Sequence, residues 1–350
     1  MERKDYFIRR LLLVFPTFIG ITLLCFAITQ FVPGGPVEQM IMRLHGAGGG
    51  GEMTASGGAT PAAAAADMEA QRQIYIQHFG FDKPLAVRYW NWLWRDCCGM
   101  RTRSYKYPNK TAWQIIARHF PVSLIFGVTS FLLTYLVCIP LGVAKALRHG
   151  KPFDMLSSVV IFIGYAMPVF ALGMLLKMLL CGTVEGLADI FPASGFHSQF
   201  YDSMGFWGKC WDVARHMLLP VVCYMTGSFA MLTLLMKNSL LEQINSDYIR
   251  TVYAKGGTTA RALWGHALRN ALVPIATGFG SVLTLMFAGS VIIERVFEIP
   301  GMGNLSLDAI VGRDYPVFMG ILALTSLLGL LGNILSDFCY VAIDPRINFR

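Results

Sequence analysis

Six stretches of this 350-residue chain are apolar and long enough to cross a lipid bilayer as helices, at about 11–31, 121–144, 156–181, 217–236, 271–293 and 317–341. A hydrocarbon core about 30 Å thick takes about 20 residues of helix. Without water, the backbone must satisfy its N–H and C=O groups within the segment, which a helix does and an open strand does not. The pattern predicts an all-α, polytopic membrane protein with six transmembrane helices. Composition agrees: 55% of residues are hydrophobic, 14% are charged and mean hydropathy is +0.52, too apolar for an ordinary soluble domain. The net charge of +8 is spread over the segments between apolar runs, so it predicts topology and no nucleic-acid partner.

Charge also sets orientation. The N-terminus, the 145–155 turn, the 237–270 loop and the tail carry fourteen Lys and Arg, whereas the 182–216 and 295–316 loops carry four. Basic residues collect on the cytoplasmic side, so both termini and the 237–270 loop are predicted there, with 32–120, 182–216 and 295–316 outside. The first apolar run is long enough to span and ends in VPGGPV with no small-residue cleavage site before it, which predicts an uncleaved first helix. The chain then divides into 1–31, an N-terminus and first span; 32–120, an external loop; and 121–350, a five-span core. Within the external loop, the Gly- and Ala-rich residues 46–67 have too little side chain to repay ordering and predict a flexible insert. Residues 68–96 place aromatic and apolar side chains at helical spacing. They predict either short amphipathic helices with Trp90, Trp92 and Trp94 in the headgroup belt, or a small subdomain with its own core.

The stretch NSLLEQINSDYIRTVYAKGGTTARALWGHALRNALVP, from Asn238 to Pro274, is far longer than a turn between helices requires. It predicts two short helices broken at Gly256-Gly257, where a residue without Cβ lets the chain turn. Glu242, Asp247, Tyr248, Arg250, Tyr253, Ala254, Lys255 and Gly256 are the candidate contacts of a docking element at 238–270, in the mode of a helix held in a partner's groove. The other reading is an amphipathic helix on the inner leaflet with Arg and Lys on phosphates. This stretch resembles the loop by which permease subunits of bacterial ABC importers grip their ATPases, whose pattern is EAA, three residues, then Gly. Gly256 stands at that glycine. Arg250, Thr251 and Val252 stand where the triplet would; the peptide branch reads close to RTA there, so Val252 and Tyr253 depart from it.

Other blocks extend the resemblance. FIRRLLLVFPTF with FVPGGPV, then RHFPVSL, IPLGVAKALRHGKPFD, GYAMPVFALGMLL, VIIERVFEIPGMG, AIVGRDYP and DPRI are similar, in order, to the oligopeptide and dipeptide permeases. The match covers nearly all of the chain outside 38–70 and looks most like the Yej-type branch, implicated in uptake of oligopeptides and of peptide antibiotics of the microcin C kind. The resemblance implies a type I ABC importer permease fold in the inner membrane, with a second homologous permease subunit, two cytoplasmic ATPase subunits, a periplasmic solute-binding protein and a peptide substrate. It implies no cofactor on this chain, since ATP and Mg belong to the ATPases. Another solute of the dipeptide family, such as nickel, is the alternative within that class.

Little else in the sequence carries chemistry. There is no GxxxxGK[ST] loop, HExxH or GxSxG. The formal GxGxxG at Gly46, Gly48 and Gly51 follows no strand. Seven His do not cluster and eight Cys form no CxxC pair, so no metal is expected. An intramembrane enzyme needs polar catalytic groups at depth, which are nearly absent, and a secondary transporter usually shows related repeats, which are not evident. Cys97, Cys98, Cys181 and Cys210 fall at or beyond the predicted outer boundary and are disulfide candidates there. Glu294 and Asp314 lie near outer helix ends, where solvation or pairing with Arg295 and Arg313 is expected. Asp337 near an inner end faces the same choice. Lys177 is expected to snorkel, and Pro168 to bend its helix.

Overall fold

The computed structural model describes residues 3–31, 69–70, 73, 82–97, 102–107, 109–184, 187–276 and 290–343. The insert at 46–67, Cys98, most of the 271–293 apolar run and the terminal DPRI lie outside the described residues. Those described are overwhelmingly helical, with only isolated bridges between Arg103 and Thr111 and between Cys181 and Asp189. In chain order the helices are α1 (Arg3–Phe31), α2 (Leu85–Asn91, continued by a π-helical turn at Trp92–Cys97), α3 (Ala112–Leu147), α4 (Pro152–Ala166), α5 (Val169–Leu180) and α6 (Phe206–Ile244). Then come α7 (Asp247–Ala254), a π-helical run at Arg261–Ala267, α8 (Leu268–Ala271), α9 (Val273–Ala276), α10 (Val291–Val296), α11 (Met302–Val311) and α12 (Tyr315–Ile343).

Four of these, α1, α3, α6 and α12, are long and apolar enough to cross a membrane, and the pair α4 and α5 makes a fifth candidate. The apolar run expected to span at 156–181 is that pair, and α4 and α5 meet at 99°. Met167 and Pro168 are both extended there: proline disfavours helical backbone in the residue before it and cannot donate to the preceding turn. Pro168 therefore bends the chain as its position suggested. At 39 residues α6 is about 58 Å long, roughly twice the hydrocarbon thickness. Its ends, carrying Lys209, Asp212 and Arg215 at one and Lys237, Glu242 and Gln243 at the other, project well past its apolar middle.

The chain forms two compact units. One comprises Met1–Phe15, His119–Leu305 and Thr325–Arg350. Its core is two clusters: Val143 and Ala146 of α3 with Met236, Leu240, Ile249, Ala262, Leu263 and Ala267, and Phe126 with Met217, Val221, Cys223, Ile293, Phe297 and Ile299. At Gly142, a Cβ would lie 2.6 Å from the Met236 Cβ, so glycine lets α3 and α6 approach closely. Beside them α3 and α6 line a groove of about 850 Å³, whose polar lining groups are Thr129, Tyr201, Lys209 and Cys210.

The other unit comprises Pro16–Arg118 and Ser306–Leu324. Tyr89, Trp92 and Leu93 are buried there against Phe18, Ile19 and Phe26 of α1 and Met319 and Ala323 of α12. The Tyr89 and Thr22 hydroxyls meet at 2.9 Å. Trp92 is thus a core residue and not a headgroup anchor, while Trp90 and Trp94 stack on each other, exposed, with centroids 5.9 Å apart.

Candidate functional site

The 238–270 segment begins as the last turns of α6 and is redirected at Asn245 and Ser246. The Asn245 amide donates to the Leu241 carbonyl at 2.9 Å and the Ser246 hydroxyl to the Gln243 carbonyl at 2.5 Å. Carbonyls that a helix end leaves without partners are thereby satisfied, and the chain restarts as α7. One residue of α7 is buried: Ile249, 1% exposed, packs among Val143, Ala146, Met236, Leu240 and Leu263. Such burial is worth about 1.5–3 kcal/mol and clamps the short helix onto the ends of α3 and α6.

Val252 is partly buried against the same cluster, and the remaining face of α7 points outward. Asp247, Tyr248, Arg250, Thr251, Tyr253, Ala254, Lys255 and Gly256 are all exposed. Arg250 lies 3.3 Å from Asp247, with their side chains 76% and 95% exposed, so their attraction is worth less than about 1 kcal/mol and yields readily to a partner. Tyr248 is drawn into the scaffold instead: its hydroxyl donates to Gln243 Oε1 at 2.7 Å and accepts from Asn270 Nδ2 at 3.1 Å. That tie bridges the helices entering and leaving the segment. Tyr253, 45% exposed, is the more outward aromatic. Glu242 is exposed but belongs to the last turn of α6. The structure therefore gathers Asp247 to Gly256 on one element and leaves Glu242 before the turn.

The far end of α7 is closed by backbone. Gly256 donates to the Tyr253 carbonyl and Gly257 to the Val252 carbonyl, each at 2.9 Å, with Gly256 at φ +77°. This is the paired six-to-one and five-to-two closure that needs a left-handed residue just past the helix. The predicted break at Gly256-Gly257 is present, and the second helix beyond it is largely π-helical, with Ala262, Leu263 and Ala267 buried. Reading residues alone missed Ile249 as the anchor, Asn270 as the strut, and exposed Trp264 on that second helix. An apolar residue alone among polar neighbours at 247–251 was the available signal for the first.

Other polar candidates are structural. Glu294 is fully buried, where solvation or Arg295 was expected. It accepts from Ser123 Oγ at 3.0 Å and the Asn304 N–H at 2.7 Å, while Arg295 turns to Asn304 Oδ1 at 3.0 Å. Asp314 is 3% exposed and accepts from the Ser104 hydroxyl and the Tyr105 N–H, the latter at 3.1 Å. Lys177 donates to the Val296 carbonyl at 3.1 Å, capping α10, and lies 3.7 Å from Glu298. Asp337 pairs with Arg10 and accepts from Tyr6 at 3.2 Å. Cys97, Cys181 and Cys210 carry free thiols; Cys181 Sγ is turned to the Pro192 carbonyl at 3.5 Å. Among the described residues no group of His, Cys, Asp and Glu converges as a metal site.

The comparisons with known proteins agree with a multi-pass membrane component of a transport system. Residues 138–349 match the model of the family described as binding-protein-dependent transport system inner membrane component. Over 99% of its length this chain is 37% identical to the peptidoglycan transport system permease protein YejB of Agrobacterium fabrum, covering 98% of that protein. It is 39% identical to the inner membrane ABC transporter permease protein YejB of Escherichia coli O157:H7 and 34% identical to the dipeptide transport system permease protein DppB of Escherichia coli K12, covering 99% of each chain. These relatives are transporter permeases, not catalytic subunits. The chain belongs to the inner membrane components of binding-protein-dependent transport systems, among the ABC permeases of the oligopeptide and dipeptide type and within their Yej branch.

Proposed function

We propose that this chain is the permease subunit through which an ABC importer moves oligopeptides across the inner membrane, and that the 238–270 segment is where its ATPase subunits dock. The observation that carries the docking reading is α7 itself: one buried anchor, Ile249, beneath a charged and aromatic outer face, closed by a two-glycine cap. A surface-lying amphipathic helix would show a broad apolar face to the lipid, whereas the apolar contact of α7 is spent on the protein.

Peptide as cargo is supported by the relatives' names, which specify peptidoglycan, dipeptide and oligopeptide transport. Uptake of peptide antibiotics of the microcin C kind belongs to the same reading. The α3–α6 groove is almost entirely apolar, with Thr129, Tyr201, Lys209 and Cys210 as its polar lining groups, a lining that favours a passage over a water-filled catalytic site. In this reading both termini and α7 face the cytoplasm. A second permease subunit completes the pathway, two ATPases bind ATP and Mg, and a periplasmic binding protein delivers peptide. ATP-driven closure of the ATPases then shifts which side the helices open to.

Proteoliposomes holding the complete transport system, with its binding protein and a labelled oligopeptide, test this. Uptake that requires both ATP and the binding protein is expected. Uptake of nickel but not peptide, or peptide uptake indifferent to ATP, would overturn it.

A further inference from the structure

Asp154, in the first turn of α4, joins four segments through one side chain. Its carboxylate accepts from Lys237 of α6 at 2.8 and 2.7 Å, lies 3.1 Å from Lys145 Nζ of α3, and accepts from the Gly150 N–H in the intervening turn at 3.2 Å. His149 Nδ1 lies 3.4 Å away. Lys145 is completely buried and also donates to the Asp154 carbonyl at 2.9 Å and to Ser157 and Ser158 at 2.8 and 2.7 Å. Two ammonium groups thus share one buried carboxylate. Such a cluster is a weak source of stability, because apolar residues of the same volume commonly do as well, but removing the single anion leaves two cations stranded. What it does supply is position: α4 cannot slide against α3 or α6 without separating opposite charges.

The same helix ends hold the docking surface. Ile249 of α7 is buried in one cluster with Val143 and Ala146, which flank Lys145, and with Met236 and Leu240, which flank Lys237. On the other side, α4 leads at 99° into α5, which packs against α6 and α10. We propose that Asp154 is the positioning residue through which displacement of α7 is passed to the bent pair α4–α5. This rests on the docking reading of α7. A shift of α7 moves the paired ends of α3 and α6, and the ionic clasp obliges α4 to follow, re-angling α5 about Pro168.

The test is the ratio of peptide imported to ATP hydrolysed, in proteoliposomes holding the complete transporter. Asp154→Asn keeps the shape and removes the charge. A second variant, Lys145→Met with Asp154→Leu and Lys237→Met, removes all three charges and strands none. Each is expected to assemble with the ATPases and hydrolyse ATP, with the ratio lowered about tenfold, as the loss of a modest coupling energy would produce. An unchanged ratio in either assembled variant overturns the proposal, and so does failure of both to assemble, which would make Asp154 a folding clasp only. Gly256→Val is measured alongside. If it sheds the ATPases while Asp154→Asn keeps its ratio, docking stands and the clasp proposal falls; wild-type behaviour of Gly256→Val overturns the docking reading itself.

Discussion

Gly257 donates its N–H to the Val252 carbonyl at 2.9 Å, and a Cβ on Gly257 would stand 2.8 Å from that oxygen and 2.6 Å from Val252 Cγ1. Gly256 beside it has φ +77° with open space around it. The two glycines are required for different reasons, one for close approach and one for backbone conformation. Gly256→Val places a β-branched residue in the left-handed region, at a cost of about 1–3 kcal/mol, relieved by unwinding the end of α7. Copurification of ATPase subunits and peptide-stimulated ATP hydrolysis are both expected to fall, with normal amounts of protein in the membrane. Gly256→Asn, tolerated in that conformation, is expected to retain most of both. Wild-type capture by the valine variant would contradict the docking role.

Ile249 is the buried hold of α7 on the rest of the chain. Ile249→Ala removes about 2–5 kcal/mol of packing, more than so short a helix can replace. Hydrogen exchange of residues 245–257 is expected to accelerate and ATPase capture to weaken, with exchange in the cluster around Phe126 and Phe297 unchanged. Ile249→Val, costing about 0.5–1.5 kcal/mol, is expected to preserve capture. Equal exchange rates in the alanine variant would show that α7 is held by something else.

The helical class and the glycine break within 238–270 were legible because apolar run length and Gly-Gly are local signals. The partners of buried charges were not. Glu294 was expected in solvent or beside Arg295, its sequence neighbour, yet it is buried, adjacent residues on α10 point in different directions, and Ser123 and Asn304 reach its carboxylate. Lys145, Asp154 and Lys237 lie in three separate helices, so only the folded chain shows that they share a site. Pro168 gave away the bend, but not that it would turn by 99°, which depends on what α5 packs against.

The glycines of the EIPGMG block follow from Glu294. A Cβ at Gly301 would come within 2.5 Å of its carboxylate, and one at Gly303 within 2.7 Å of the Val291 backbone nitrogen. The second clash is with main chain, which cannot rotate away. Ser123 Oγ bridges, donating to Glu294 and accepting from the Met302 N–H at 2.7 Å. Ser123→Ala leaves that N–H unpaired at about 1–3 kcal/mol, and Gly303→Ala is expected to cost at least as much. Thermal unfolding of detergent-purified protein should show a lowered midpoint for both. An unshifted midpoint for Gly303→Ala would mean that α10 and α11 are free to separate.

Lys177 distinguishes a capping cation from a substrate contact. Its ammonium meets the Val296 carbonyl at the end of α10 and lies 3.7 Å from Glu298, a side chain that is 69% exposed. A cation suits the carbonyl end of a helix, and the pair with so exposed a carboxylate adds little. Lys177→Met keeps the apolar stem and removes the charge. Stability is expected to drop by about 0.5–1.5 kcal/mol, the worth of one hydrogen bond, with uptake of acidic and neutral peptides reduced equally or not at all. Parallel transport assays with two labelled peptides differing only in a Glu-to-Gln change provide the measurement. A loss confined to the acidic peptide would show that Lys177 binds cargo and that its contact with Val296 is the resting position of a substrate-binding group.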